Sequence, residues 1–271
     1  MTYYYDDITF NLGDKINITG TLQLLDNNTN FNLFNYKKYM LSKNTYYKIK
    51  ASNIKLIKGN KNILYKLKNY LVNRINKIRR SEYLKLFILG DNSYINKEVK
   101  NSYSTNGISH LFSVSGMHIT LLSGLILFIL NKIRKTKFNC TIVIIVLLIF
   151  MFLTNFTPSV IRATFLFIFL YLNKLLKLNL STFKIILFIM LFVLILNPYN
   201  IYNVGFLFSY IISVYLIVYN KIINKYKNYF MKILITSFIS FLVSIPILIN
   251  NFFSINLMTI FNYIIFVTKI S

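Results

Sequence analysis

The sequence predicts a multi-pass α-helical membrane bundle preceded by a small all-β, OB-like domain and a basic amphipathic helix. Three observations carry that expectation. Of 271 residues 55% are hydrophobic, with 25 Phe and 21 Tyr, and beyond about residue 108 they gather into long runs of Ile, Leu, Phe and Val. All seven acids lie between Asp6 and Glu98, so residues 99–271 hold none. The basic residues that separate the apolar runs cluster in every second connection.

The first 60 residues read as the β domain. ITF, INITGTLQLL and TYYKIKASNIKLI are short strand-like pieces, separated by the turn signals Gly13-Asp14 and Asp26-Asn27-Asn28. An OB-like barrel binds single-stranded nucleic acid with aromatic and basic side chains. Tyr36, Lys37, Lys38, Tyr39, Tyr46, Tyr47, Lys48 and Lys50 are the candidates on its sheet face, where the same alternation also serves solubility. Residues 61–106 form a connector. Within it NILYKLKNYLVNRINKIRR puts Ile63, Leu64, Leu67, Tyr70, Leu71, Ile75 and Ile78 at helical spacing, and Lys66, Lys68, Arg74, Lys77, Arg79 and Arg80 on the opposite face. That pattern suits a helix lying on a membrane surface or packed on the β unit.

Residues 107–271 form the transmembrane domain, with segments expected at 108–130, 139–154, 159–173, 180–196, 203–219, 233–250 and a partial 255–268. Several fall short of the roughly 20 residues of a full span, which suits a bundle around a cavity. Orientation follows from the loops. Lys132, Arg134, Lys135 and Lys137 lie in the first connection, Lys174 and Lys177 in the third, with Lys184 just beyond, and Lys221, Lys225, Lys227 and Lys232 in the fifth. Residues 155–158, 197–202 and 251–254 carry no Lys or Arg. The positive-inside rule makes the charged loops cytoplasmic and the N-terminal domain external. An external β unit with no span before it points to a missing upstream piece. A membrane domain without carboxylates has no carboxylate proton relay or cation site, and tolerates or attracts a polyanion.

GISHLFSVSGMHITLLSG, residues 107–124, holds both histidines of the chain. On one helix His110 and His118 stand about 80° and roughly 12 Å apart, too far for one metal ion, so no metal site is expected. Ser115 and His118 invite a serine-hydrolase reading, but three residues apart on one helix they are poorly placed for in-line attack. Gly116, Thr120 and Gly124 repeat at i, i+4, i+8, flanked by Ser115 and Ser123, which is the spacing of a close helix–helix seam. Arg162, in TPSVIRATF, has no acid to pair with in the bundle. It either snorkels to the outer interface or stands as a fixed cation facing a water-filled path used by phosphates. Cys140 is expected to be buried filler.

ILGDNSYINKEVKNSYSTNGISHLFSVSGMHI resembles the ComEC-type competence proteins, an inner-membrane channel for DNA uptake. The matching positions are Gly90, Asp91, Gly107, His110, Leu111, Ser115, Gly116 and His118. TPSVIRA is similar to that family's Ser-Pro-Ser-x-x-Arg-Ala, with Thr157 in place of the first Ser and Pro158, Ser159, Arg162 and Ala163 in register. NPYNIYNVGFLFSY is similar to its Asn-Pro…Gly-Phe-x-x-Ser element through Asn197, Pro198, Gly205, Phe206 and Ser209.

The resemblance implies part of a channel that translocates single-stranded DNA into the cell during natural transformation. It places the chain in the bacterial plasma membrane, with the lipid bilayer, single-stranded DNA and other competence machinery as partners, and without enzymatic activity or cofactor. His110, Ser115, Gly116, His118 and Arg162 become candidates for the DNA path, with the histidines structural or pore-lining. Family members carry spans before the β domain and further spans after it, so the chain reads as a truncated member whose remaining helices come from a separate chain or domain. Two alternatives stand beside this reading: an intramembrane serine hydrolase using Ser115 and His118, and a passive anchor presenting an external β module.

Overall fold

The computed structural model of the chain describes residues 11–27, 35–59, 62–79, 81–91, 93–96, 98–99, 114–134, 136 and 138–252. Among them are one two-stranded sheet, ten α-helices and a 3-10 turn. Gly107, His110, Leu111 and the partial segment 255–268 lie outside the described residues.

Strand β1 (Lys15–Leu24) pairs antiparallel with β2 (Tyr47–Lys58), from Lys15 opposite Lys58 to Leu24 opposite Tyr47. The register slips between Thr19 and Gly20, where a Cβ on Gly20 would collide with the carbonyl of Lys50. Bulges of this kind sharpen the local twist. Both faces of the ribbon are largely exposed, with Ile54 buried, and two strands alone are marginal. The closed barrel expected for residues 1–60 is not seen among the described residues.

Tyr36, Lys37, Lys38 and Tyr39 correct one expectation. They lie in helix α1 (Tyr36–Ser42), not on a sheet face. Asn35 caps that helix, its Oδ1 accepting from Lys38 N at 3.0 Å, so the Tyr–Lys alternation is read out at helical spacing.

Helix α2 (Ile63–Asn76) forms within the stretch read as helical, capped by Asn62 through Leu64 N at 2.9 Å. Its buried face is the expected one only in part. Ile75 is buried as expected, but so is Lys68, while Ile63, Leu67 and Tyr70 are exposed. The reason is tertiary: Lys68 Nζ donates to Asn155 Oδ1 at 2.6 Å and sits 5.6 Å from the Phe152 ring, so the helix carries one lysine into a contact with the bundle that is otherwise largely apolar. Helix α3 (Ser81–Leu89) follows and ends at Gly90.

Six long apolar helices make the bundle: α4 (Gly116–Ile133), α5 (Phe138–Leu153), α6 (Pro158–Leu175), α7 (Thr182–Leu196), α8 (Val204–Val218) and, after short α9 (Asn220–Lys225), α10 (Tyr229–Phe252). The 3-10 turn Pro198–Tyr202 joins α7 to α8. Three of these helices, α4, α6 and α10, are long and apolar enough to cross a membrane, and α5, α7 and α8 are shorter apolar helices. The first segment starts eight residues later than expected. Its start is set by the cap at Ser115 rather than by the onset of apolar residues.

Two cores hold the bundle. Val114, Ile119, Val143, Leu147, Met151 and Val160 form one, across α4, α5 and the start of α6. Ile185, Ile186, Ile189, Val193, Phe206 and Tyr210 form the other, between α7 and α8. Ile161 packs against both, so α6 is the helix where they meet. Cys140 is half-buried rather than buried.

The N-terminal elements meet the bundle at one end. Asn197 Nδ2 donates to Ser42 O at 3.2 Å, Tyr65 lies edge-on to Phe152 at 5.2 Å, and Phe87 faces His118 at 5.3 Å. This is the end whose loops, 155–158 and 197–202, lack Lys and Arg.

Candidate functional site

Arg162 lies one turn into α6, beside the junction of the two cores, and its guanidinium turns inward. Nε donates to Ser209 Oγ at 2.7 Å and Nη1 to Ser213 Oγ at 2.5 Å, both on α8. Ser213 Oγ donates onward to Ser209 O at 2.7 Å, so the hydroxyl accepting from the arginine is oriented by its own helix. On the opposite side Nη2 approaches α4, where a Cβ added to Gly116 would stand 2.7 Å from it. One side chain thus ties α6 to α8 and sets how closely α4 packs. The snorkelling expectation is corrected: the cation is drawn into the bundle because serines one helical turn apart on α8 supply acceptors there.

No carboxylate occurs in residues 99–271, so the charge is solvated by hydroxyls and not neutralised within the bundle. That is costly in a membrane, and it leaves a fixed positive charge at a helix junction. Ser209 was legible in the sequence through its motif; Ser213 was missed, and its only signal is its i+4 spacing from Ser209.

Gly116 lies close to α6, where an added Cβ would meet Arg162 and Ala163. The seam does not continue along the whole stripe. Thr120 is exposed, with Oγ1 donating to Gly116 O at 3.1 Å, and a Cβ on Gly124 would meet nothing within 4 Å among the described residues. Ser123 is the buried small residue of the next turn, its Oγ donating to Thr120 O at 3.1 Å.

Ser115 and His118 do come together. His118 Nδ1 accepts from Ser115 N at 3.1 Å and lies 2.9 Å from Ser115 Oγ. Accepting an amide proton puts the ring proton on Nε2, and the lone pair a base would need is already engaged by the backbone. The pair closes the first turn of α4, in the manner of the N3 side chain of a capping box. Phe87 then braces the imidazole from α3. Close by, Ser159 Oγ donates to Val114 O at 2.5 Å and joins the start of α6 to the residue before that cap.

The remaining motif residues hold the junction between the N-terminal elements and the bundle. Gly90 adopts φ +67°, and a Cβ there would lie 3.1 Å from Thr154 O; both the conformation and the close approach require glycine. Asp91 accepts from Ser93 N at 2.9 Å. Its charge opposes the burial that pushes the pKa of Lys68 down. Asn197 is buried, accepting from Tyr199 N at 3.0 Å while reaching Ser42. Pro198 opens the 3-10 turn, and Gly205 lies against Asn203 Oδ1, which caps α8 through Phe206 N at 3.2 Å.

The chain is 25% identical over 255 residues to ComE operon protein 3 of Bacillus subtilis (strain 168), covering 92% of this chain and 33% of that protein. It therefore spans about a third of the length of the curated relative it matches. No solved structure matches it. The competence protein family matches residues 87–271, the stretch containing Gly90, Ser115, Gly116, Arg162, Asn197 and Ser209, and the chain belongs to that family.

Proposed function

We propose that the chain is part of a multi-pass membrane channel that carries single-stranded DNA into the cell during natural transformation, with its N-terminal unit on the outer face. The observation that carries the proposal is the inward arginine without a carboxylate: Arg162 is held by Ser209 and Ser213 in a bundle with no acid after Glu98. Such a bundle offers a strand of phosphates an uncompensated cation and no like charge to repel it. The family match and the Lys- and Arg-rich alternate connections support the same reading. The OB-type closure of the N-terminal unit, the lipid bilayer, other competence proteins and the further helices of a longer protein belong to this proposal as its setting. In it Ser115 and His118 shape the start of α4 and perform no covalent chemistry.

The test uses a full-length, functional protein carrying these residues. Arg162→Gln lowers uptake of a labelled single strand per inserted molecule by about tenfold or more, the equivalent of one charged hydrogen bond. Arg162→Lys recovers part of it, because a point charge still attracts phosphate but lacks the planar fork. Wild-type uptake by the Gln variant removes Arg162 from the DNA path. Labelling of Ser115 by a fluorophosphonate probe, abolished in His118→Ala, overturns the non-enzymatic reading.

A further inference from the structure

Where the N-terminal unit meets the bundle, three tyrosines from distant parts of the chain form one cluster, with a fourth nearby on α1. Tyr199 and Tyr202 come from the 3-10 turn after α7, with ring centroids 6.5 Å apart. Tyr46, at the foot of β2, stands edge-on to Tyr199 at 6.0 Å. Tyr39, the nearby fourth, follows Lys38 on α1. Two ammonium groups are already placed over these rings, Lys38 Nζ 5.2 Å from the centre of Tyr202 and Lys43 Nζ 4.4 Å from that of Tyr39. Tyr39, Tyr46 and Tyr202 are exposed, as are both lysines. The position is fixed from beneath by the buried Asn197–Ser42 hydrogen bond.

The charge balance of this surface is one-sided. No acid occurs between Asp26 and Glu82. Asp26 itself is taken up by Lys48 at 2.7 Å, which holds its carboxyl below the usual range through that hydrogen bond and charge. Lys38, Lys43 and Lys50 face water with no carboxylate in their stretch of chain. Exposed rings interleaved with ammonium groups are the recognition chemistry of an unpaired polynucleotide, whose bases stack on any aromatic face while lysines follow the phosphates. A duplex keeps its base faces covered and gains only the second part.

We infer that Tyr39, Tyr46, Tyr199 and Tyr202, with Lys38 and Lys43, form a sequence-independent stacking platform for single-stranded nucleic acid at the Lys- and Arg-free end of the bundle. The ligand class and the placement on the entry side rest on the proposed function; the binding surface stands on the geometry of the rings and cations. A tyrosine–lysine surface beside a membrane also suits an interfacial anchor in lipid headgroups. Two features favour nucleic acid. Tyr46 and Tyr199 meet at 74° instead of presenting one coplanar belt, and Tyr39 and Lys43 come from an element stacked on the end of the bundle rather than from a span.

The experiment uses the full chain in nanodiscs of zwitterionic lipid and a fluorescent oligothymidylate read by anisotropy. Tyr199→Ala with Tyr202→Ala is expected to raise the dissociation constant by about 5- to 100-fold per stacked base lost. Phe at both positions is expected to retain binding, since stacking needs the ring and not the hydroxyl. Lys38→Ala with Lys43→Ala is expected to weaken binding and reduce the salt slope by about 1 to 2. A duplex of equal length binds more weakly than the single strand and does not respond to the tyrosine change. Unchanged affinity in the tyrosine variant overturns the platform. So does a loss of affinity for phosphatidylglycerol vesicles with oligonucleotide binding intact, which assigns the cluster to the membrane. Equal weakening by Phe and Ala also overturns it, since it would show a structural role for the hydroxyls. Transport is not measured here, so a working platform beside a silent Arg162→Gln uptake result separates failure of the channel proposal from failure of this one.

Discussion

Gly116→Ala tests the Arg162 junction through a reversal of sign. The added Cβ would stand 2.7 Å from Nη2 of Arg162, closer than such atoms approach, so the guanidinium must shift. It is pinned at Nε by Ser209 at 2.7 Å and at Nη1 by Ser213 at 2.5 Å, and a shift away from α4 stretches or breaks one of these bonds. Losing a hydrogen bond to a charged group costs about 1.5–3 kcal/mol. Against this, replacing glycine by alanine in a helix stabilises by about 0.5 kcal/mol at the low end, appropriate for the first helical residue. The loss wins, and Gly116→Ala is expected to destabilise by about 1–2.5 kcal/mol. In an Arg162→Gln background the shorter side chain does not reach α4. The same Gly116→Ala change is then expected to become neutral or stabilising by about 0.5 kcal/mol. The assay is a double-mutant cycle on helix loss during detergent denaturation of the purified protein in mixed micelles. Additivity within about 0.5 kcal/mol would refute the contact and the role given to Gly116.

Three further outcomes follow from the same geometry. Gly90→Ala is expected to cost about 1–2 kcal/mol for the left-handed backbone alone, plus the clash with Thr154, and to free the connector for proteolysis before the bundle; Asn at 90 recovers the backbone part only, and wild-type protease resistance in Gly90→Ala refutes the docking. Lys68 has its folded pKa lowered by burial, so its cost to stability is fully present below that pKa and disappears as pH rises toward the ordinary lysine value; Lys68→Met is expected to leave stability at neutral pH equal or higher and to remove the alkaline rise, measured as the difference from wild type as pH is raised from neutral toward that value. A reporter fused after Arg134 is expected to read as cytoplasmic and one fused after Asn200 as external; the reverse pattern places the N-terminal unit inside.

Much of the architecture was legible in the sequence because it depends on local composition. Apolar runs without acids announce membrane helices, and the Lys and Arg placed in alternate connections rank the two ends of the bundle without any packing information. The boundaries of α5 to α8 follow the runs to within a residue or two, since Pro158, Ser181 and Asn203 mark where helices start. Helical spacing marked the stretch of α2 as well, but it missed that Lys68 is buried along with Ile75, because the bundle end offers Asn155 and the face of Phe152 to a lysine, and a hydrophobic pattern cannot encode a polar partner 87 residues away.

The site divides in the same way. Gly116, Arg162, Asn197 and Ser209 stood out through motifs, yet a motif does not say what its residues touch. Whether Arg162 pointed to the interface or inward depended on Ser209 and Ser213 facing it from α8, which is a matter of how two helices are rotated against each other. That Gly116 is small for Arg162, while Gly124 in the same stripe has no described neighbour, was decided by where α4 crosses α6. The tyrosine cluster has no sequence signature at all. Tyr46 lies more than 150 residues from Tyr199 and Tyr202, and only the seating of the N-terminal unit on the turn after α7 makes it their neighbour. Composition and periodicity determine which segments form helices, because those are free energies of single segments. Partners for a lone charge or an aromatic ring are set by the packing of several segments at once, and that information is in the tertiary structure alone.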